Sequence, residues 1–226
     1  MARSVHPGEP PPIPRGRHAP PLEVRVSVQR RRLLQAAAAV FTRSGYADAS
    51  AEAISREAGM SKATFYEHFS NKEDAIVALF DEGATEVVLA MARAAGERDD
   101  ATSYEDWVRR SLRAFLTTLV DWPTAAQTVL VEIIGAGPRA QERRDAILQA
   151  FADALHRDNA LMAPRFGAPA FAAPEDAFTV IGAIVEVASR QLRTGRPQDI
   201  RDVEPTLLRM FFGMLTQARD NGLGGV

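Results

Sequence analysis

The chain has 226 residues, of which 46% are apolar and 25% charged, a composition typical of a soluble globular protein. It contains no cysteine, which excludes disulfides, thiolate zinc sites and a cysteine nucleophile. Because no apolar run approaches the roughly 18 residues of a membrane span, and the Pro-rich start lacks the apolar segment of a secretory signal, we expect a cytoplasmic protein without a membrane partner.

The net charge of −2 is distributed unevenly along the chain. Residues 1–72 carry 11 Lys and Arg against 6 Asp and Glu, whereas residues 73–226 carry 16 against 23. A basic first third favours a polyanionic partner at that end, with an ordinary fluctuation of charge as the alternative.

Proline, glycine and apolar periodicity divide the chain into three regions. Residues 1–27, with seven Pro and four Arg, predict a disordered arm whose arginines either touch DNA phosphates or are solvated. Residues 28–73 predict a domain of short helices, and residues 74–226 predict a helical body. Since no alternating run is long enough for a strand, the predicted fold class is all-α.

The first three helices form a recognisable unit. One apolar face predicts a helix from about Val28 to Ser44, which Gly45 can cap in a left-handed conformation. Ser50 suits the N-cap of a second helix, which ends at Gly59. A three-residue turn then leads to Ser61, the expected N-cap of a third helix from Lys62 to about His68. Two short helices joined by a tight Gly-containing turn indicate a helix-turn-helix.

The third helix has an unusual surface. Phe65 and Phe69 are four residues apart and are expected to face inward. The other side chains offer a cation, hydroxyls and an imidazole, namely on Lys62, Ala63, Thr64, Tyr66 and His68. The DNA major groove accepts such a helix, and an ordinary polar surface helix is the alternative.

A fourth helix is expected to begin with the capping box Ser70-Asn71-Lys72-Glu73, in which Ser70 is the N-cap and Glu73 the N3 residue. Lys72 then lies in the first turn, where the helix dipole disfavours a cation. Lys72 and the helix N-terminus together predict a clamp on a DNA phosphate. A solvated lysine is the alternative.

These motifs resemble the TetR family of bacterial regulators. The similar positions run from Arg32 through Phe41 and Gly45-Tyr46, continue over residues 54–69 (ISREAGMSKATFYEHF), and end at Ser70-Asn71-Lys72-Glu73. One difference is Ser55, where the family usually has alanine. The resemblance implies an all-helical homodimer whose N-terminal helices bind a near-palindromic double-stranded operator and whose body binds a small-molecule inducer.

The resemblance also implies roles for individual residues. Ser50, Tyr66 and Lys72 would contact phosphates, whereas Lys62, Ala63 and Thr64 would face bases. Ser61 completes the predicted DNA-binding set, and His68 either contacts a phosphate or covers the helix end.

The body is interpreted from its own pattern. Thr102 and Glu105 predict a second capping box, before a helix that ends near Trp122. Further helices are expected over about 124–134 and from Pro138 onward, with a loop at 163–173. An apolar ligand cavity between these helices would be lined by Trp107, Phe115, Trp122, Glu132, Phe151 and His156; the alternative is that these side chains belong to the core or the surface.

The last two helices, over 174–192 and about 203–218, are apolar on most sides. Burial within one chain would explain this pattern, but a four-helix interface between two copies explains it better. The predicted interface contains Phe178, Ile181, Ile184, Val185, Ala188, Leu207, Met210, Phe211 and Met214.

The sequence therefore predicts a DNA-binding repressor that a small, largely apolar ligand releases from its operator. We predict no catalytic residues, cofactor or metal site, because the chain has no Gly-rich phosphate loop and no HExxH, and its four His are scattered. The alternatives are a structural helix-turn-helix protein without operator specificity, and an enzyme with its site in the C-terminal cavity.

Overall fold

The computed structural model describes residues 21–96 and 103–221, with side chains for 21–93 and 103–215. These residues form nine α-helices and no strand. The helices are α1 (Leu22–Asp48), α2 (Ala51–Glu57), α3 (Lys62–His68), α4 (Lys72–Gly96), α5 (Tyr104–Asp121), α6 (Pro123–Leu130), α7 (Pro138–Met162), α8 (Pro174–Thr194) and α9 (Glu204–Asn221). Short 3₁₀ turns cover Glu132–Gly135, Ala163–Phe166 and Ile200–Val203.

Helix α1 begins at Leu22, six residues before the predicted start near Val28. Pro21 is the N-cap, and no proline follows it to interrupt the helix. Residues 22–27, predicted as part of the disordered arm, are therefore helical; the rest of that prediction lies outside the described residues. The helix breaks at Gly45, whose φ of 76° is the left-handed conformation expected of a glycine cap.

The helix-turn-helix has its predicted boundaries. The Ser50 hydroxyl accepts from the Ala53 N–H at 3.1 Å and begins α2. The Ser61 hydroxyl accepts from the Thr64 N–H at 3.0 Å and begins α3. Between them, Gly59 at φ 65° makes the tight turn. Phe65 and Phe69 are buried, as predicted, against the apolar side of α1.

Two later helix starts lie one residue beyond their predicted caps. Helix α4 is capped by Asn71, whose Oδ1 accepts from the Asp74 N–H at 2.9 Å, instead of by Ser70. The Asp74 carboxylate reaches back to the Ser70 N–H at 3.0 Å, so Glu73 is not part of this cap. Helix α5 is capped by Ser103, which accepts from the Asp106 N–H at 3.1 Å; Thr102 lies outside the described residues.

The apolar side chains form two cores. The first fills the head, which comprises α1, α2, α3 and the start of α4, and it also includes Ile133, Ala136 and Ala140 of the body. The second lies among α5, α6, α8 and α9. The head core therefore does not end at residue 73, the predicted domain boundary, because the segment between α6 and α7 completes it.

The described helices include none that is long and apolar enough to cross a membrane.

Candidate DNA-binding face and ligand-binding body

Two buried phenylalanines on the opposite side of α3 hold its exposed face in place. Phe65 and Phe69 are 0% and 3% exposed, with ring centroids 5.5 Å apart. Lys62, Ala63 and Tyr66 are exposed, and Thr64 is half-buried. The Thr64 Oγ1 lies 2.9 Å from the Ser61 Oγ, so the helix cap also orients this hydroxyl. The predicted base-facing residues thus share one exposed surface.

Ser50 is exposed at the start of α2, where its hydroxyl caps the helix. The phosphate contact of Ser50 stays a prediction. Nearby Arg30 of α1 lies over the Phe69 ring, 4.8 Å from its centroid. The basic run Arg30-Arg31-Arg32 was the sequence signal for this contact, but it did not indicate which ring would receive it.

His68 supports the end of α3. Partial burial and the neighbouring Arg30 lower its pKa, with a smaller opposing effect from Glu67, so the ring is neutral at pH 7. Its Nε2 is buried with no hydrogen-bond partner among the described residues. Of the two predicted roles, a neutral half-buried imidazole favours covering the helix end.

Lys72 has a different environment from the predicted phosphate clamp. Its Nζ donates to the carbonyl oxygens of Tyr46, Ala47 and Ala49 at 2.8, 2.9 and 3.0 Å. It also lies 4.4 Å from the Tyr46 ring centroid. An ammonium has three N–H donors, and all three are used to cap the C-terminal end of α1. Lys72 therefore braces the head in this structure, and its phosphate contact stays a prediction.

Glu132, which was predicted to line a ligand cavity, lies half-buried at the boundary between body and head. Its Oε2 accepts from the Tyr46 N–H at 2.8 Å, across the boundary between body and head. On the same boundary, the Glu73 Oε1 accepts from the N–H groups of Arg139 and Ala140 at 3.0 and 3.3 Å. Two carboxylates thus join head and body in opposite directions.

Ion pairs reinforce this boundary. The Arg139 guanidinium lies 2.5 Å from Asp74, and that of Arg143 lies 2.6 Å from Asp81. Sequence reasoning missed Glu73, Arg139 and Gly137 as boundary residues. The only signal was the Gly137-Pro138 pair, which marks a helix start without showing what approaches it.

The other predicted ligand residues differ in how far they are buried. Trp107 is 5% exposed and stacks on Tyr104, with ring centroids 5.6 Å apart. Trp122 is 58% exposed on the surface. Phe115, Phe151 and His156 are half-buried, and the His156 Nδ1 is buried without a partner among the described residues. Trp107 thus lies in the core and Trp122 on the surface, and their ligand contacts stay a prediction.

A cleft of about 540 Å³ lies elsewhere in the body, between the end of α5 and the connection from α8 to α9. Its described lining combines apolar side chains with amides and carboxylates: Leu119, Val120, Pro123, Gln191, Leu192, Gln198, Asp199, Ile200 and Asp202. None of the six predicted ligand residues belongs to this lining. The Arg201 guanidinium lowers the pKa of Asp199 to about 2, so that carboxylate is charged at neutral pH.

The predicted dimer residues divide into two groups. Val185, Ala188, Leu207 and Phe211 are between 1% and 8% exposed within one chain, so they belong to its core and not to an interface. Phe178 is 45% exposed, and Ile181, Ile184, Met210 and Met214 are half-buried. The helices are apolar on most sides because one side packs on the body and another stays uncovered.

Comparison with known proteins identifies the N-terminal part. Residues 33–82 match the family model described as bacterial regulatory proteins, tetR family. No curated protein sequence matches the chain.

Solved structures share the fold over about four fifths of the chain. FadR from Bacillus subtilis, solved in complex with stearoyl-CoA, aligns with a TM-score of 0.67 at 17% identity, covering 80% of this chain and 97% of its own. The fatty acid degradation regulator FadR from Bacillus halodurans aligns with a TM-score of 0.65 at 18% identity, covering 81% of this chain and 94% of its own. A tetR-family regulatory protein from Rhodococcus aligns with a TM-score of 0.65 at 20% identity, covering 83% of this chain and 96% of its own.

Fold and α3 surface together define a helix-turn-helix protein with a helical C-terminal body. The match over residues 33–82 identifies this N-terminal segment as a domain of the tetR family of bacterial regulatory proteins. The family resemblance and the all-α fold predicted from the sequence are confirmed.

Proposed function

We propose that the chain is a repressor that binds a near-palindromic operator as a homodimer and is released by a small, largely apolar ligand. The observation that carries this proposal is the exposed surface of α3, where Lys62, Ala63, Thr64 and Tyr66 stand on the buried pair Phe65 and Phe69. A rigid helix with a polar outer face is what the major groove receives.

The proposed DNA contacts follow from this surface. Lys62, Ala63 and Thr64 face base edges near the start of α3, and Tyr66 contacts a phosphate. Ser50 binds a phosphate at the start of α2. Selection of bound fragments from a random DNA pool tests the proposal, because a specific repressor enriches one two-part sequence. Retention of DNA without enrichment would favour the structural alternative instead.

Thr64→Ala should relax base preference. If the Thr64 hydroxyl contacts a base edge, its loss costs about 1–3 kcal/mol on the selected sequence and much less on random DNA. The measurement is a pair of binding titrations, on the selected and on a scrambled fragment. Thr85→Ala is the control, because Thr85 is an exposed threonine on α4, away from α3, and bonds to the Asp81 carbonyl of its own helix. Equal behaviour of the two variants would contradict the base contact.

The proposed dimer uses the uncovered apolar side of α8 and α9, around Phe178, Ile181, Ile184, Met210 and Met214. A Cβ added at Gly182 or Gly213 would have no neighbour within 4 Å, so a partner helix can approach closely there. Apolar side chains left on this surface favour a second copy as their cover.

Ile184→Asp should convert the dimer to a monomer, because an unpaired carboxylate in an apolar interface is costly. Sedimentation at micromolar concentration measures this directly. Ala150→Asp is the control, since it adds the same charge to an exposed position on α7. A wild type that sediments as a monomer would contradict the dimer.

The ligand proposal rests on the fold and on the cleft of the body. FadR from Bacillus subtilis was solved with stearoyl-CoA, a molecule with a long apolar chain. The cleft volume of about 540 Å³ lies within the usual range for small-molecule sites, and half of its lining is apolar. We therefore choose stearoyl-CoA as the first probe for a ligand of this chemistry.

Stearoyl-CoA should bind the free protein more tightly than the DNA complex. Thermodynamic linkage requires that a ligand that weakens DNA binding is itself weakened by DNA to the same factor, commonly 5- to 150-fold. Fluorescence of the chain's two tryptophans, Trp107 and Trp122, both in the body, follows the titration with and without the selected fragment. Equal affinity in the two titrations would contradict release by this ligand. Turnover of the probe would support the enzyme alternative.

A further inference from the structure

Two carboxylates cross the boundary between head and body, and each meets N–H groups at a helix end. Glu132 lies in the 3₁₀ turn of the body, and its Oε2 is 2.8 Å from the Tyr46 nitrogen. Tyr46 directly follows the break in α1 at Gly45. Its N–H is therefore bonded from the body instead of from a regular turn of its own helix.

Glu73 makes the reciprocal contact from the head. Its Oε1 receives the first N–H groups of α7, those of Arg139 and Ala140, at 3.0 and 3.3 Å. Gly137 permits this approach, since it has φ 117° and a Cβ there would lie 2.6 Å from the Glu73 Oε1. The first N–H groups of a helix have no partner within it, so Glu73 satisfies groups that would otherwise need water.

The Glu132 and Glu73 contacts both lie next to the residues that cap the helices of the head. The Tyr46 carbonyl receives the Lys72 ammonium, which also bonds the Ala49 carbonyl next to Ser50, the N-cap of α2. Glu73 is the neighbour of Lys72 in α4. The body therefore contacts the head where α1 ends and α4 begins, and Lys72 links both points to the start of α2.

We propose that Glu132 is a positioning residue for DNA recognition, which holds the head at one angle to the body by accepting the Tyr46 N–H. Together with Glu73, it fixes the segment Val131–Ala140 against the end of α1 and the start of α4. The inference rests on the proposed function, because it concerns how two heads are set on two half-sites.

If Glu132 fixes the angle of the head, it controls which distance between the two operator half-sites the dimer can bind. Two heads of a dimer enter successive major grooves about 34–36 Å apart. A head fixed at one angle discriminates against a site whose halves are moved by one base pair, whereas a loosened head tolerates it. A purely structural role for Glu132 would change stability but leave this discrimination alone.

Two conservative variants separate the reach of Glu132 from its charge. Glu132→Asp keeps the charge but is one methylene shorter and loses the Tyr46 N–H, whereas Glu132→Gln keeps the reach and an acceptor oxygen. We expect Glu132→Asp to lower the ratio of affinities for native and shifted spacing about tenfold, and Glu132→Gln to retain most of it. Glu142→Asp, at an exposed position on α7, is the matched control and should behave as wild type.

The outcomes distinguish this inference from the proposed function. A wild type that selects no two-part sequence overturns both. A wild type with clear spacing discrimination that Glu132→Asp leaves unchanged overturns the positioning role alone, as does an equal loss in Glu132→Asp and the Glu142→Asp control. Melting temperatures measured beside each titration show that a folded protein is being compared.

Discussion

Replacing Asn159 with alanine is expected to lower the free energy of unfolding by about 2–5 kcal/mol, one of the largest effects available in the body. Asn159 is 0% exposed on α7. Its Oδ1 accepts from the Phe171 N–H at 2.7 Å, and its Nδ2 donates to the Tyr104 hydroxyl oxygen at 2.5 Å. Alanine would leave a buried N–H without a partner and open a cavity between α5 and α7.

Urea unfolding followed by circular dichroism measures this effect. Gln149→Ala is the control, because Gln149 is exposed on the same helix and bonds only to Asp153; its change should stay within about 0.5 kcal/mol. Similar losses for both variants would contradict a special role for Asn159.

Burial raises the pKa of Tyr104 from 10.0 to about 12. Because the unfolded chain then loses this proton first, stability should fall as the pH rises from 10 towards 12.

Replacing Lys72 with alanine is expected to destabilise the head by about 1.5–3 kcal/mol, the scale of hydrogen bonds to a charged group. The variant removes three donors from the carbonyls of Tyr46, Ala47 and Ala49. The end of α1 and the start of α2 would both lose their brace, so DNA affinity should fall because the head is less well held.

The chain's other lysine provides the control. Lys62 is exposed on α3, 5.9 Å from the Tyr66 ring centroid. Lys62→Ala should weaken DNA binding and leave unfolding within about 0.5 kcal/mol of wild type. A DNA phosphate contact by Lys72 would instead appear as wild-type stability with the salt dependence of binding reduced by about one charge. Urea unfolding and DNA titrations at several salt concentrations distinguish the two roles.

The helix-turn-helix was predictable because its determinants are local. Ser50, Gly59 and Ser61 act on residues a few positions away, so the local sequence is enough to predict the helix boundaries. The same holds for Gly45 and Pro138. Even here the N-cap of α4 is Asn71 and not the predicted Ser70, because Ser and Asn are both good N-cap residues and they are adjacent in the sequence.

The roles of Lys72 and Glu132 were not predictable from local pattern. The acceptors of Lys72 lie 23 to 26 residues away along the chain, and Tyr46 is 86 residues from Glu132. Charge and helix position alone favoured a phosphate for the one and a ligand for the other. Nothing in the periodicity of α1 or α6 shows that their ends meet.

The apolar helices α8 and α9 illustrate a different limit. Apolar periodicity predicts which faces of a helix are apolar, but it does not predict whether the same chain or a partner covers each face. Phe211 and Phe178 look alike in sequence, yet one is 4% exposed and the other 45%. Only the packing of α5 and α7 separates core from candidate interface.

The shared head core sets where this protein can be joined to another. Ile133, Ala136 and Ala140 are 0–2% exposed and pack with residues of α1 and α4, although they follow the head by more than fifty positions. A chimaera that grafts this head onto a foreign sensor after α4 would leave those contacts unfilled. The transferable module is discontinuous: residues 22–80 must travel with 131–140, so exchange of sensors by a single crossover is a poor route to new regulators of this design.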